Sequence, residues 1–89
     1  MSDSADENAI RILLNDHEAV EERILSARHL ENSETDEAFS ALLNIARSPQ
    51  EEKALLQAAG RSLAKVADAL SRTDAVTDLN PAAHAAYRE

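Results

Sequence analysis

Cysteine is absent from this sequence, and it has only one glycine, two prolines, one phenylalanine and one tyrosine. Without cysteine there is neither a disulfide nor a thiolate ligand for a metal. A loop that cradles phosphate needs several glycines, so nucleotide binding through such a loop is excluded. The scarcity of aromatic and chain-breaking residues, with abundant alanine, leucine, glutamate and arginine, favours helices over strands. The composition therefore predicts an all-α domain.

A long apolar run is also missing, including behind the acidic start of the chain. We therefore expect neither a signal segment nor a membrane-spanning segment, and no membrane as a partner. A chain without cysteine suits a reducing compartment, so the cytoplasm is the expected location.

Acidic residues outnumber basic ones, and the net charge of −8 is unevenly placed along the chain. Residues 1–37 carry −8, residues 38–72 carry +2 and residues 73–89 carry −2. A negative field disfavours nucleic acid and anionic lipid and favours a basic protein partner. Acidity that serves only the solubility of a small domain is the alternative interpretation.

Apolar residues recur at helical spacing in four segments, each preceded by residues that cap helices. The predicted helices cover residues 5–14, 16–31, 35–47 and 49–71. The first two are either separate helices or one bent helix. Residues 1–72 then form a single helical domain, and residues 73–89 form a tail with a short helix near residues 81–88.

The fourth segment has the clearest helix start. Ser48 and Pro49 suit the N-cap and the first helical position, and Glu51 suits the third, so the free N–H groups of a helix start would be satisfied. Its apolar stripe consists of Leu56, Ala59, Leu63, Val66 and Leu70. We expect the rest of the chain to pack on this helix.

Two segments at an offset of 33 residues, Ser26–Leu30 and Ala59–Leu63, share the pattern small-small-Arg-x-Leu. Small residues in mid-helix let two helix backbones approach closely, which would explain Gly60 despite its cost of about 1 kcal/mol relative to alanine. We therefore predict a helical hairpin that occurs twice, with the two small-residue segments packed against each other.

This repeat resembles the HEAT-like repeat in its short form, in which the second helix often carries paired small residues followed by leucine, as Leu56–Val66 does here. The resemblance covers residues 6–70. It implies two stacked antiparallel helical hairpins, a short α-solenoid, with a C-terminal capping segment, and it implies a protein-binding scaffold without chemistry. A four-helix bundle is the alternative fold.

Side chains with the spacing of a catalytic or metal site are not found. His17 and Glu18 begin an H-E-x-x-H zinc pattern, but its last position is Glu21 instead of histidine. Carboxylates are abundant, yet nothing in the sequence marks an apolar pocket that would shift their pKa values. We therefore expect no enzymatic activity, no catalytic residue, no metal and no cofactor.

One face remains as a candidate binding site. If the second and fourth helices lie side by side, an acidic stripe on the second adjoins a basic edge on the fourth, and Leu25 and Leu55 supply apolar anchors. The predicted partner-binding residues are Glu18, Glu22, Leu25, His29, Leu55, Arg61 and Lys65. A solvated surface with one isolated leucine is the alternative.

These expectations describe a non-catalytic module that binds a basic protein partner through an acidic helical face. A homodimer is expected in addition, because two repeats leave one hairpin face uncovered. The alternative function is an immunity-type or antitoxin-type inhibitor, whose acidic face covers the basic site of a nuclease or toxin.

Overall fold

The computed structural model describes residues 4–88, and this part of the chain contains α-helices and 3₁₀ turns but no strand. The helices are α1 (Ser4–Leu14), α2 (Val20–His29), α3 (Asp36–Arg47), α4 (Lys53–Ala69) and α5 (Pro81–Tyr87). The prediction of an all-α fold is confirmed. Residues 1–3 of the predicted domain and residue 89 of the predicted tail lie outside the described residues.

α4 is the central helix of the molecule. It contacts α2, α3 and α5, whereas α1 packs on α2 and α3. The core consists mostly of leucine and alanine, and its fully buried large apolar side chains include Leu13, Leu30, Leu42, Leu55, Leu63 and Val66. Among residues 4–88, no helix is both long enough and apolar enough to cross a bilayer.

Local capping sets the starts of α3 and α5 where the sequence predicts them. The Thr35 hydroxyl accepts a hydrogen bond from the N–H of Ala38 at 3.2 Å, so α3 begins directly after Thr35. The side chain of Asn80 accepts from the N–H of Ala82 at 3.1 Å, with Pro81 as the first residue of α5.

The predicted start of α4 at residue 49 is wrong, since the helix begins at Lys53. Ser48 instead ends α3, with its N–H donating to the carbonyl of Ile45 at 3.0 Å. Glu51 is not free to cap the helix because its carboxylate binds the guanidinium of Arg23 at 2.8 and 2.9 Å. A contact between distant residues therefore overrides the local capping pattern.

α1 and α2 are separate helices, and α2 begins at Val20 rather than at residue 16. The side-chain oxygen of Asn15 accepts a hydrogen bond from the N–H of His17 at 3.0 Å. This bond forms an Asx turn between the helices. Asparagine favours such turns as well as helix N-caps.

The C-terminus of α4 is closed by backbone bonds around Ser71, which has a φ of 56°. The N–H of Arg72 donates to the carbonyl of Ala67 at 2.8 Å, and the N–H of Ser71 donates to the carbonyl of Asp68 at 3.1 Å. This pair of bonds is the Schellman motif. It ends the helix at Ala69 and turns the chain back towards α4.

α5 packs directly on α4, at the only glycine of the sequence. A Cβ added to Gly60 would lie 2.2 Å from the carbonyl oxygen of Ala83 and 3.2 Å from its Cα. Gly60 was expected to admit α2, so its packing role was assigned to the wrong neighbour. The backbone that comes close to Gly60 belongs to α5.

Tyr87 provides a test of this docking at high pH. Burial, and next the negative charge of Asp68, raise the pKa of the Tyr87 phenol above its ordinary value of 10.0. A raised folded-state pKa means that the neutral phenol stabilises the docked helix below pH 10 and that this stability is lost as the pH rises through the folded pKa.

We expect the ultraviolet titration of Tyr87, the only tyrosine, to show a midpoint above that of the urea-unfolded chain. Asp68→Asn should lower the folded midpoint, and Asp74→Asn, which changes the same charge in an exposed 3₁₀ turn, should not. Equal midpoints in the folded and unfolded chains would contradict the docking of Tyr87.

Candidate partner-binding face

The most exposed large apolar side chain among the described residues is Leu25 on α2, which is 58% exposed. Leu14, at the end of α1, follows at 43%. Single exposed leucines are common on protein surfaces, so what surrounds Leu25 decides whether it marks a binding site.

Charged side chains surround Leu25 on the outer surface of α2. Glu22 precedes it by three residues and His29 follows it by four, so all three share one face of the helix, and all are exposed. Glu18 is exposed too, but it lies in the segment between α1 and α2. Glu22, Leu25 and His29 therefore share one helix face, whereas Glu18 lies outside the helix.

A groove of about 270 Å³ runs beside Leu25, between α2 and α1. Leu25, Ser26 and His29 form its α2 side, and α1 contributes Ala5, Asn8, Ala9 and Ile12. Except for Asn8, the α1 side of this groove is small or apolar, which suits contact with an apolar side chain of a partner.

His29 fixes the end of α2 to the start of α1. Its Nε2 lies 3.0 Å from one carboxylate oxygen of Asp6, and the other oxygen accepts a bond from the Ser33 hydroxyl at 2.7 Å. The Asp6 carboxylate therefore joins α1 to the two residues that flank the 3₁₀ turn Leu30–Asn32. His29 is a structural contact as well as part of the exposed face.

The prediction that the acidic stripe of α2 lies beside the basic edge of α4 is wrong. The groove between α2 and α4, about 410 Å³, is lined on its α2 side by Ile24, Arg28 and Glu31. Leu25 and His29 instead lie on the α1 side of α2. α2 is rotated so that Leu25 and His29 face the α1 side, while Arg23, Ser26 and Ala27 take the buried positions of the helix.

The two predicted basic residues of α4 are exposed and belong to that second groove. Arg61 lines it, and Lys65 lies beside it with its Nζ 3.8 Å from a carboxylate oxygen of Glu31. Arg72 lies beyond α4, and its guanidinium pairs with the carboxylate of Asp36 at 3.1 Å. Arg61 and Lys65 are therefore brought together with Arg28 and Glu31.

Leu55 cannot serve as an apolar anchor for a partner, because it is fully buried. α4 has α2, α3 and α5 packed around it, so its buried surface is wider than the single stripe that the sequence suggests. Leu55 falls within this wider surface and belongs to the core.

An ion pair on the buried side of α2 was not predicted from the sequence. Arg23 is only 5% exposed, and its Nε donates to the carbonyl of Leu13 at 3.0 Å while its two terminal nitrogens bind Glu51. One guanidinium thereby ties together the end of α1, the middle of α2 and the segment before α4. Its position was a signal, since it lies on the same helical stripe as the buried Ala27 and Leu30.

The remaining feature of this face is the kind of side chain that lines its grooves. Within residues 4–88, no group of three or more His, Cys, Asp or Glu side chains is placed to hold a metal ion. The grooves beside α2 are lined by small, apolar and charged side chains, which suits contact with another macromolecule.

Comparison of the sequence and the structure with protein-family models, curated proteins and solved structures finds no match.

Proposed function

We propose that this chain is a protein-interaction module without catalytic activity, and that it binds a protein partner through the outer face of α2. The observation that carries the proposal is the 58% exposure of Leu25 at the centre of this face. An apolar side chain within a polar rim, next to a groove that admits another side chain, is the usual anatomy of a protein-binding site.

The proposed scaffold is a short stack of two HEAT-like hairpins, α1 with α2 and α3 with α4, capped by α5. This arrangement is supported by the packing of α1 on α2, of α3 on α4 and of α2 on α4. In such a stack the second helix of each hairpin lies on one side of the molecule, which would leave the outer face of α2 open to a partner.

The proposed partner is basic. Glu18, Glu21 and Glu22 are exposed around the first half of α2, and the chain as a whole carries a net charge of −8. A field of this sign speeds association with a positively charged surface and makes that association sensitive to salt.

Affinity capture from the native cell extract, with mass spectrometry, tests the proposal. We expect the wild type to retain one specific partner and both Leu25→Asp and Glu22→Lys to lose it. Leu14→Asp and Glu34→Lys are the matched controls, because they make the same changes at exposed positions outside α2, and both should retain the partner.

Unchanged recovery by Leu25→Asp and Glu22→Lys would refute this choice of face. Loss of the partner from the controls as well would show that binding follows overall charge and not the α2 surface. If the retained partner is a nuclease or a toxin, the module acts as its inhibitor, and the complex should dissociate as the salt concentration rises.

A further inference from the structure

We propose that the groove between α2 and α4 binds a carboxylate on a short aliphatic stem, and that a glutamate side chain of another protein supplies it. The groove has a volume of about 410 Å³. It shares no lining residue with the groove beside Leu25, so this site is separate from the face proposed above.

The lining of this groove changes from apolar to polar along its length. Ion pairs join the beginning of α2 to the segment before α4 and, further along, the turn after α2 to the second half of α4. Between these two contacts the lining begins with Ile24 and Ala54 and ends with Arg28, Arg61 and Ser62. A ligand with an apolar stem and a polar head matches this order.

Ser62 gives the polar end a buried group without a partner. It is 1% exposed, and its hydroxyl makes no hydrogen bond within residues 4–88. Buried hydroxyls in folded proteins nearly always have a partner, and a carboxylate oxygen is an acceptor that an O–H can use. This hydroxyl distinguishes the groove from an ordinary gap between two helices.

Arg28 supplies the positive charge on the α2 side of the groove. It is exposed, and it forms no ion pair within the described part of the chain. Arg61 lines the α4 side, so the lining holds two guanidiniums and one carboxylate, that of Glu31. The groove is therefore locally positive although the chain carries a net charge of −8. A guanidinium binds a carboxylate through two parallel N–H···O bonds.

Glu31 limits the negative charge that the groove accepts. Its carboxylate lies 3.8 Å from the Nζ of Lys65 and faces the same polar end, so it repels a phosphate with nearly two charges more than a carboxylate with one. The groove is also half-open, so it does not enclose a free small molecule. A protein that presents the carboxylate supplies the remaining burial.

A ¹⁵N NMR titration of the purified full chain with N-acetylglutamate N-methylamide tests the proposal, because this compound has the side chain of a glutamate within a protein. We expect saturable shifts of the amide signals of Arg28, Gln57 and Ser62, with half-saturation in the millimolar range. The corresponding glutamine compound has the same shape without the charge and should bind about tenfold more weakly. Inorganic phosphate should also bind more weakly than the glutamate compound.

Substitutions at the polar end test which groups hold the carboxylate. Arg28→Met should weaken binding about tenfold, and Arg28→Lys, which keeps the charge but loses the paired N–H groups, should weaken it less. Ser62→Ala should weaken binding about threefold. Arg11→Met makes the matched change at an exposed position of α1 and should bind as the wild type does. Circular dichroism of each variant checks that the helices are intact.

Glu31→Gln separates a binding role of the groove from a structural one. It removes the like charge at the polar end, so it should strengthen binding of the glutamate compound about threefold. A groove that only packs two helices would show no such gain.

Several results would overturn the proposal. These are shifts that do not saturate, equal binding of the glutamine compound or of phosphate, and binding that Arg28→Met or Ser62→Ala leaves unchanged. Partner capture through the outer face of α2 is measured separately with Leu25→Asp and Glu22→Lys, so a failed titration leaves the proposed function standing.

Discussion

Replacing Gly60 by alanine is expected to separate α5 from α4. The added Cβ would lie 2.2 Å from the backbone carbonyl oxygen of Ala83, and a backbone atom cannot move aside by a change of rotamer. Alanine gains about 1 kcal/mol of helix propensity over glycine. Overpacking of this severity costs about 3 kcal/mol or more, so the net effect is destabilising.

Urea unfolding and hydrogen exchange measure this effect together. We expect Gly60→Ala to lower the free energy of unfolding by about 2 kcal/mol and to increase exchange first in α5, Pro81–Tyr87. A rise of about 1 kcal/mol in the free energy of unfolding, with unchanged hydrogen exchange in α5, would contradict the packing of α5 on Gly60.

Ser62→Ala is the matched control on the same helix. Ser62 is 1% exposed, and its hydroxyl has no hydrogen-bond partner within the described residues. Its removal leaves no group unpaired and adds no atom, so the variant should be neutral or about 1 kcal/mol more stable. A large loss of stability from Ser62→Ala would show that α4 tolerates no substitution here, whatever the side chain.

Replacing Arg23 by methionine should cost about 3 kcal/mol of stability, because breaking a buried ion pair leaves its partners without compensation. The groups left behind are the carbonyl of Leu13 and the carboxylate of Glu51, whose side chain is only 17% exposed. Methionine has a volume similar to that of the arginine stem, so the loss reports the missing hydrogen bonds more than a cavity.

A double-mutant cycle in urea isolates the ion pair. Glu51→Leu alone should also destabilise, because it strands the Arg23 guanidinium, whereas Arg23→Met with Glu51→Leu should recover much of the loss. Arg28→Met, the same substitution at an exposed position of α2, should change stability little. Strictly additive losses in the cycle would show that Arg23 and Glu51 act independently.

The ion pair also matters for the proposed binding face. Arg23 lies on the buried side of α2 and Leu25 on its exposed side, so the guanidinium sets the rotation of the helix that presents Leu25 and Glu22. In the capture experiment, Arg23→Met therefore shows the effect of disturbing the position of α2 without changing any exposed residue of the face.

The helical segments, and the positions at which several of them begin, could be predicted from the sequence. Caps such as Thr35 and the Asn80-Pro81 pair bind backbone groups within a few residues, so they can be identified from residues adjacent in the sequence. Helical periodicity likewise placed Leu25 outside the main apolar stripe of its helix, and its exposure confirms this.

Which helix lies against which face could not be predicted from the sequence and depends on tertiary packing. Periodicity identifies a buried stripe but not its neighbour, so Gly60 was matched with α2 although it admits α5, and Leu55 was taken as exposed although three helices surround α4. By sequence, Glu51 suits a local helix cap. In the structure it pairs instead with Arg23, 28 positions away, because a buried guanidinium must be paired. Such competition between a local and a distant partner is settled by burial, which exists only in the folded chain.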